Sequence, residues 1–212
     1  MTNFRDTWQY RLISEHYTGK IANRSKLPYI KHIDEGVEIL NRIGADECTI
    51  TSFILHPLFQ GDKDLFLYWE KFICEGDYEL GKLISREEML LCIEYRNVAN
   101  AFLSKHQGIR TPTLSPIHEV NLMLIADKVQ NQADFYRYQS YQGADATMSE
   151  FHYKKLETYF VEWRDILTKE FPSMMAKLPL YSIIEQRQLF PVESYTTNKI
   201  VEGAIYDFAV DP

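Results

Sequence analysis

The stretch PYIKHIDEGVEILNRIG, residues 28–44, decides how the chain is to be read. Ile33, Val37 and Leu40 recur at helical spacing, Pro28 stands where the first turn of a helix accepts a proline, and Gly44 closes the run. Outward from this helix the same periodicity continues. Before it, a helix is expected from about Phe4 to Tyr17 on the apolar stripe Trp8, Leu12 and Ile13, broken by Gly19 and followed by the polar loop KIANRSKL, residues 20–27. After it comes TITSFILH, residues 49–56, a short and strongly apolar helix that Pro57 is expected to stop. DLFLYWEKFI (64–73) and REEMLLCIEYRNVANAFL (86–103) read as amphipathic helices, and KHQGIRTPTLSP (105–116) as a loop rich in breakers. A long helix is expected from Ile117 to about Tyr138, and another from Ser149, its N-cap, to Lys169. SMMAKLPLYSIIEQR (173–187) is interrupted by Pro179, and the segment after Phe190 has no periodicity. The expectation is therefore an all-α fold, with residues 1–190 as one helical domain and 191–212 as an irregular C-terminal extension. That extension either packs as an extended arm or pairs with a partner subunit, which leaves a homo-oligomer open.

Composition narrows the function classes. The chain has 212 residues, 45% hydrophobic and 25% charged, as soluble globular proteins do. A formal net charge of −7 argues against a sequence-blind nucleic-acid binder, which needs a dominant basic surface, but leaves room for a local basic pocket. Cys48, Cys74 and Cys92 are odd in number, far apart and set among apolar residues, which fits buried thiols in a reducing compartment. The opening MTNFRDTWQY carries charges where a signal peptide needs an apolar run, and no apolar stretch approaches the roughly 20 residues of a membrane span. A cytoplasmic protein with no membrane partner is expected.

Three polar residues stand inside otherwise apolar helices: His32 in PYIKHIDEG, His56 at the end of TITSFILH, and Asp127 in LMLIADKVQN, residues 122–131. A carboxylate in that setting is costly unless it is paired or bound to a cation. Each residue alone is more often a hydrogen-bonded core group, whereas the three together point to a shared site.

The order PYIKH, an apolar helix ending in histidine, and ADKxxN resembles the HD-domain superfamily, in particular the branch that hydrolyses (p)ppGpp and related nucleotides. The likeness spans about His16 to Lys169 and includes IGADECTITSFILHP (43–57) and FHYKKLETYFVEW (151–163). It implies an HD-domain-like helical bundle that acts as a nucleotide phosphohydrolase or pyrophosphohydrolase. It also implies a divalent metal, manganese by preference, on His32, His56 and Asp127, with Asn131 holding the nucleotide. Arg24 and Lys26 fall where the family places cationic contacts to phosphate, and an arginine there engages phosphate oxygens bidentately.

One stretch departs from the family pattern. The aspartate of the His-Asp pair is Pro57 here, and the Glu-Asp pair thought to activate water aligns with Gln60 and Gly61. Two histidines and one carboxylate still make a facial triad, while Gln60 or Asp62 is left to position water and Asp64 is near enough in sequence to join. HPLFQGDKDL with EYRNVANAF is similar to uncharacterised phage and bacterial proteins of the same set, so a phage-encoded chain would work in the host cytoplasm.

Among the remaining candidates, Asp34 and Glu35 are either a solvated helix face or the mouth of a cleft. His16 with Gly19 resembles the family's entry to the substrate loop. Arg96, inside an apolar helix, needs a partner, either a nearby acid such as Glu94 or Glu119, or a substrate phosphate. His106, His118 and His152 read as surface or capping residues. Three functions remain open: metal-assisted hydrolysis of a phosphorylated nucleotide, binding or sequestering of that nucleotide without chemistry, and metal-independent acid–base chemistry by His32 and His56.

Overall fold

The computed structural model describes residues 3–22, 27–69, 84–101, 112–140 and 150–178, with the backbone alone at 69, 101, 137–140 and 150–153. Arg24, Lys26, Cys74, His106, Ser149, Pro179, the side chain of His152 and the extension 191–212 lie outside the described residues. The described residues form eight α-helices, a short 3-10 turn and no strand. The turn is Phe4–Asp6, and the helices are α1 Trp8–His16, α2 Ile30–Ile43, α3 Glu47–Gln60, α4 Asp62–Trp69, α5 Arg86–Ala101, α6 His118–Ser140, α7 Glu150–Glu170 and α8 Pro172–Met175. The all-α fold expected from periodicity is what the chain adopts.

Two boundaries move for identifiable reasons. The expected first helix is split at Thr7, whose Oγ1 accepts from Tyr10 N at 3.3 Å and so acts as the N-cap of α1. Pro28 stands ahead of α2 rather than in its first turn. It pairs with Ile21 in an isolated antiparallel bridge, flanked by Ala22 N to Leu27 O at 2.8 Å and Tyr29 N to Lys20 O at 3.1 Å.

The chain divides into two compact units, each assembled from two separate stretches. One contains the described residues of 1–16 and 44–124, the other those of 17–43 and 125–212, and the division falls inside α6.

In the first unit α3 packs on α1, α4 and α5. Its N-terminus is capped by Asp46, which accepts from Thr49 N at 2.8 Å. From Thr51 to Phe59 every residue is buried, so the helix is enclosed on all sides rather than amphipathic. α5 opens with a capping box. Ser85 Oγ accepts from Glu88 N at 3.1 Å, and Glu88 Oε2 accepts from Ser85 N at 2.8 Å. Glu88 Oε1 accepts in addition from Gln9 Nε2 at 2.8 Å, which ties α1 to the start of α5. Cys92 donates to Ser52 O at 3.3 Å, and burial, then Glu88, pushes its thiol well above the usual range. It is a structural thiol, as the sequence suggested. The second unit joins α2, the rest of α6, α7 and α8. Ile33, Val37, Leu40 and Ile43 face its interior with Phe135, Phe160, Trp163 and Leu167.

Pro57, expected to stop α3, lies inside it instead. A proline removes one helical N–H and pushes away the carbonyl four residues back, here that of Phe53. The helix continues because His56 Nδ1 lies 2.5 Å from that carbonyl and takes it over as donor. Replacing Pro57 by alanine gains about 3 kcal/mol of helix propensity and loses about 1.6 kcal/mol from two buried methylenes. Pro57→Ala is therefore expected to be more stable by about 1–1.5 kcal/mol, read as a raised urea midpoint with an unchanged slope.

Candidate functional site

In the second unit the site is built where the first turn of α2 meets the middle of α6. His32 Nδ1 lies 2.5 Å from Gln130 Oε1, and Gln130 Nε2 donates to Glu35 Oε2 at 3.0 Å. The two ends of the amide are thus assigned: its nitrogen serves the carboxylate, and its oxygen can only accept. His32 therefore carries its proton on Nδ1, which leaves Nε2 as the lone-pair nitrogen. Glu35 is neither idle surface nor a bare cleft mouth; it anchors Gln130.

His32 Nε2 is 3.4 Å from Asp127 Oδ1. Asp127 is 2% exposed, and its Oδ1 also accepts from Asn131 Nδ2 at 2.8 Å. An imidazole lone pair and a carboxylate oxygen facing each other repel unless a cation, whether a proton or a metal ion, lies between them.

The other carboxylate oxygen has its cation already. Asp127 Oδ2 is 2.6 Å from Lys128 Nζ, which lies over the rings of Tyr159 at 5.7 Å and Trp163 at 5.3 Å. Burial by itself disfavours the ammonium, but Asp127 and then Tyr159 more than offset this, and the Lys128 pKa lies above the usual lysine value. Lys128 and Gln130 were not among the residues that the sequence pattern singled out. For Lys128 the signal was present: it is as deep in an apolar helix as the Asp127 that the reading picked out.

In the first unit His56 is 1% exposed. Its ring sits 4.7 Å from that of Phe53 and 4.9 Å from that of Tyr95, with Nδ1 on the Phe53 carbonyl. A backbone oxygen cannot donate, so His56 also carries its proton on Nδ1. Gln60 follows one turn later on the same helix face. Its carbonyl accepts from Arg96 and, at 3.2 Å, from Asn100 Nδ2. Arg96 also donates to Phe59 O at 3.3 Å and pairs with Asp62, so it caps the C-terminus of α3, where a cation suits the helix dipole. Its acid is Asp62 rather than Glu94, which accepts from Ser115 Oγ at 2.8 Å. Asp64 lies 3.9 Å from His16 Nε2, and His16 Nδ1 is 3.0 Å from the Tyr68 hydroxyl. His118 is exposed.

The structure thus groups His32, Asp127 and Asn131 in one unit, and His56, Gln60, Asp62 and Arg96 in the other. As a donor set, the two imidazoles and the carboxylate of His32, His56 and Asp127 could hold a metal ion. Compared with known protein families, curated proteins and solved structures, the chain has no match. Among the described residues, no helix is long and apolar enough to cross a membrane.

Removing the Lys128 charge leaves the Asp127 carboxylate buried without it. Lys128→Met is expected to lose about 3–5 kcal/mol in urea unfolding, and adding Asp127→Leu to recover most of that loss. Because the folded-state pKa of Lys128 is raised, the pair contributes fully below the ordinary lysine value of about 10.4. That contribution is lost only as pH rises through the raised value.

Proposed function

We propose that this chain is an HD-type phosphohydrolase-like protein that acts on a phosphorylated nucleotide at a divalent metal held by His32, His56 and Asp127. The observation that carries the reading is the facing pair, His32 Nε2 and Asp127 Oδ1, two electron-pair donors 3.4 Å apart with the carboxylate buried and the imidazole half-buried. The Nδ1 protons of both histidines are committed to carbonyl oxygens, the arrangement that orients metal-ligating imidazoles. A divalent ion bound there supplies Lewis acidity toward a phosphate oxygen. Around it the chain's own groups have separate tasks. Gln130 and Glu35 hold the His32 ring, and Asn131 and Lys128 hold the two oxygens of Asp127; phosphate binding falls to Arg24 and Lys26 on the resemblance alone, since both lie outside the described residues. Gln60 is left to position water, since Asp62 is engaged by Arg96.

The Lys128–Asp127 pair favours a second reading, in which the same residues bind the nucleotide without turning it over. A carboxylate already matched by an internal ammonium needs no metal to remain buried. Pro57, in place of the fourth ligand, points the same way.

Titration calorimetry with Mn2+ and elemental analysis separate the two. The hydrolase reading expects one ion per chain, with affinity at least tenfold weaker in Asp127→Asn and in His56→Ala. It also expects chelator-sensitive release of phosphate from a panel of phosphorylated nucleotides. Nucleotide binding at micromolar Kd with no metal and no product would establish the binding module instead. Baseline heats for every nucleotide would sink both.

A further inference from the structure

We infer that Pro57 is a positioning residue: by depriving the Phe53 carbonyl of its helical partner, it selects the Nδ1–H tautomer of His56. In an uninterrupted helix the carbonyl of residue 53 accepts from the N–H of residue 57. Proline has no such hydrogen, and its ring forces that carbonyl aside. Phe53 is fully buried, so an orphaned carbonyl there would carry the full cost of desolvation. His56 Nδ1, at 2.5 Å, supplies the donor.

Only one form of the neutral ring can do this. Neutral imidazole in water prefers its proton on Nε2, so the helix holds His56 in the less common tautomer. The rings of Phe53 and Tyr95, 4.7 and 4.9 Å away, crowd a flip that would exchange the two nitrogens. The substitution that removes an acidic side chain at position 57 thus adds an orientation device: a backbone carbonyl takes the role that a carboxylate or carbonyl partner plays for metal-bound histidines. An ordinary residue at 57, aspartate included, would return the N–H and compete for that oxygen. That Nε2 then serves as a metal ligand rests on the function proposed above; the tautomer selection itself does not.

The test uses 15N-labelled full-length chain, stripped of metal and held at a pH where imidazole is neutral, with long-range proton–nitrogen correlations reading which nitrogen of His56 bears the hydrogen. Wild type is expected to show it on Nδ1. In Pro57→Ala the restored N–H reclaims the Phe53 carbonyl, and the ratio of Nδ1–H to Nε2–H is expected to fall about fivefold or more, the equivalent of one ordinary hydrogen bond. Pro57→Val, closer in bulk, restores the same N–H and serves as a second, independent comparison. A purely structural proline would change the unfolding midpoint and leave the tautomer where it was. A proton on Nε2 in wild type, or a ratio unmoved in both variants, overturns the inference. Mn2+ affinity in the same variants is expected to fall in proportion to the fraction of His56 that remains in the Nδ1–H form, a smaller change than that in the ratio itself. If wild type binds no Mn2+, the proposed function fails while the tautomer comparison still decides this inference.

Discussion

The enclosure of α3 is the constraint on which the first unit depends. From Thr51 to Phe59 every residue is buried, so the backbone polar groups along those roughly two and a half turns must be met from inside. The answers come partly from the helix itself. Thr51 Oγ1 donates back to Glu47 O and Cys48 O, both at 3.1 Å, and His56 serves the carbonyl that Pro57 releases. The rest come from α5, where Cys92, Arg96 and Asn100 each donate to an α3 carbonyl. These three residues of α5 are therefore not a solvated face. They are spaced to complete the backbone of the helix they cover.

α6 faces the same constraint and meets it with full charges. Its residues from Val120 to Gln130 are all buried, yet two of them are Asp127 and Lys128. Adjacent residues on a helix point about 100° apart, so the pair joins only because the long lysine stem folds back toward the carboxylate, with Tyr159 and Trp163 taking the other side of the ammonium. A buried ion pair is weak support for stability, since apolar residues of like volume do as well or better. What it supplies is definition: one carboxylate oxygen is fixed on Lys128, so the other must face Asn131 and His32.

Helical periodicity made the fold class legible, and buried polar residues in apolar runs made His32, His56 and Asp127 legible. The failures have particular causes. Pro57 does not stop α3 as expected, because the donor it lacks is replaced by a side chain that no periodicity reveals. Arg96 was correctly seen to need a partner, but Asp62 lies 34 positions away, where sequence proximity has no say. Glu35 and Gln130 are ordinary polar residues until α2 and α6 are brought side by side. The two units left no trace in composition because each takes one early and one late stretch of the same helical chain.

That interleaving has a consequence for how the chain leaves the ribosome. α2 is complete at Ile43, but the residues that receive its apolar face and its histidine begin only at Ile125. At translation rates of roughly 5–20 residues per second, the intervening stretch of roughly 80 residues takes on the order of 4–16 s to make. For those seconds Ile33, Val37 and Leu40 have no native partner from the second half of their own unit. α1, α4 and α5 can gather around α3 before Ile125 is made, so synthesis itself orders the two: the enclosed helix first, the charged one afterwards.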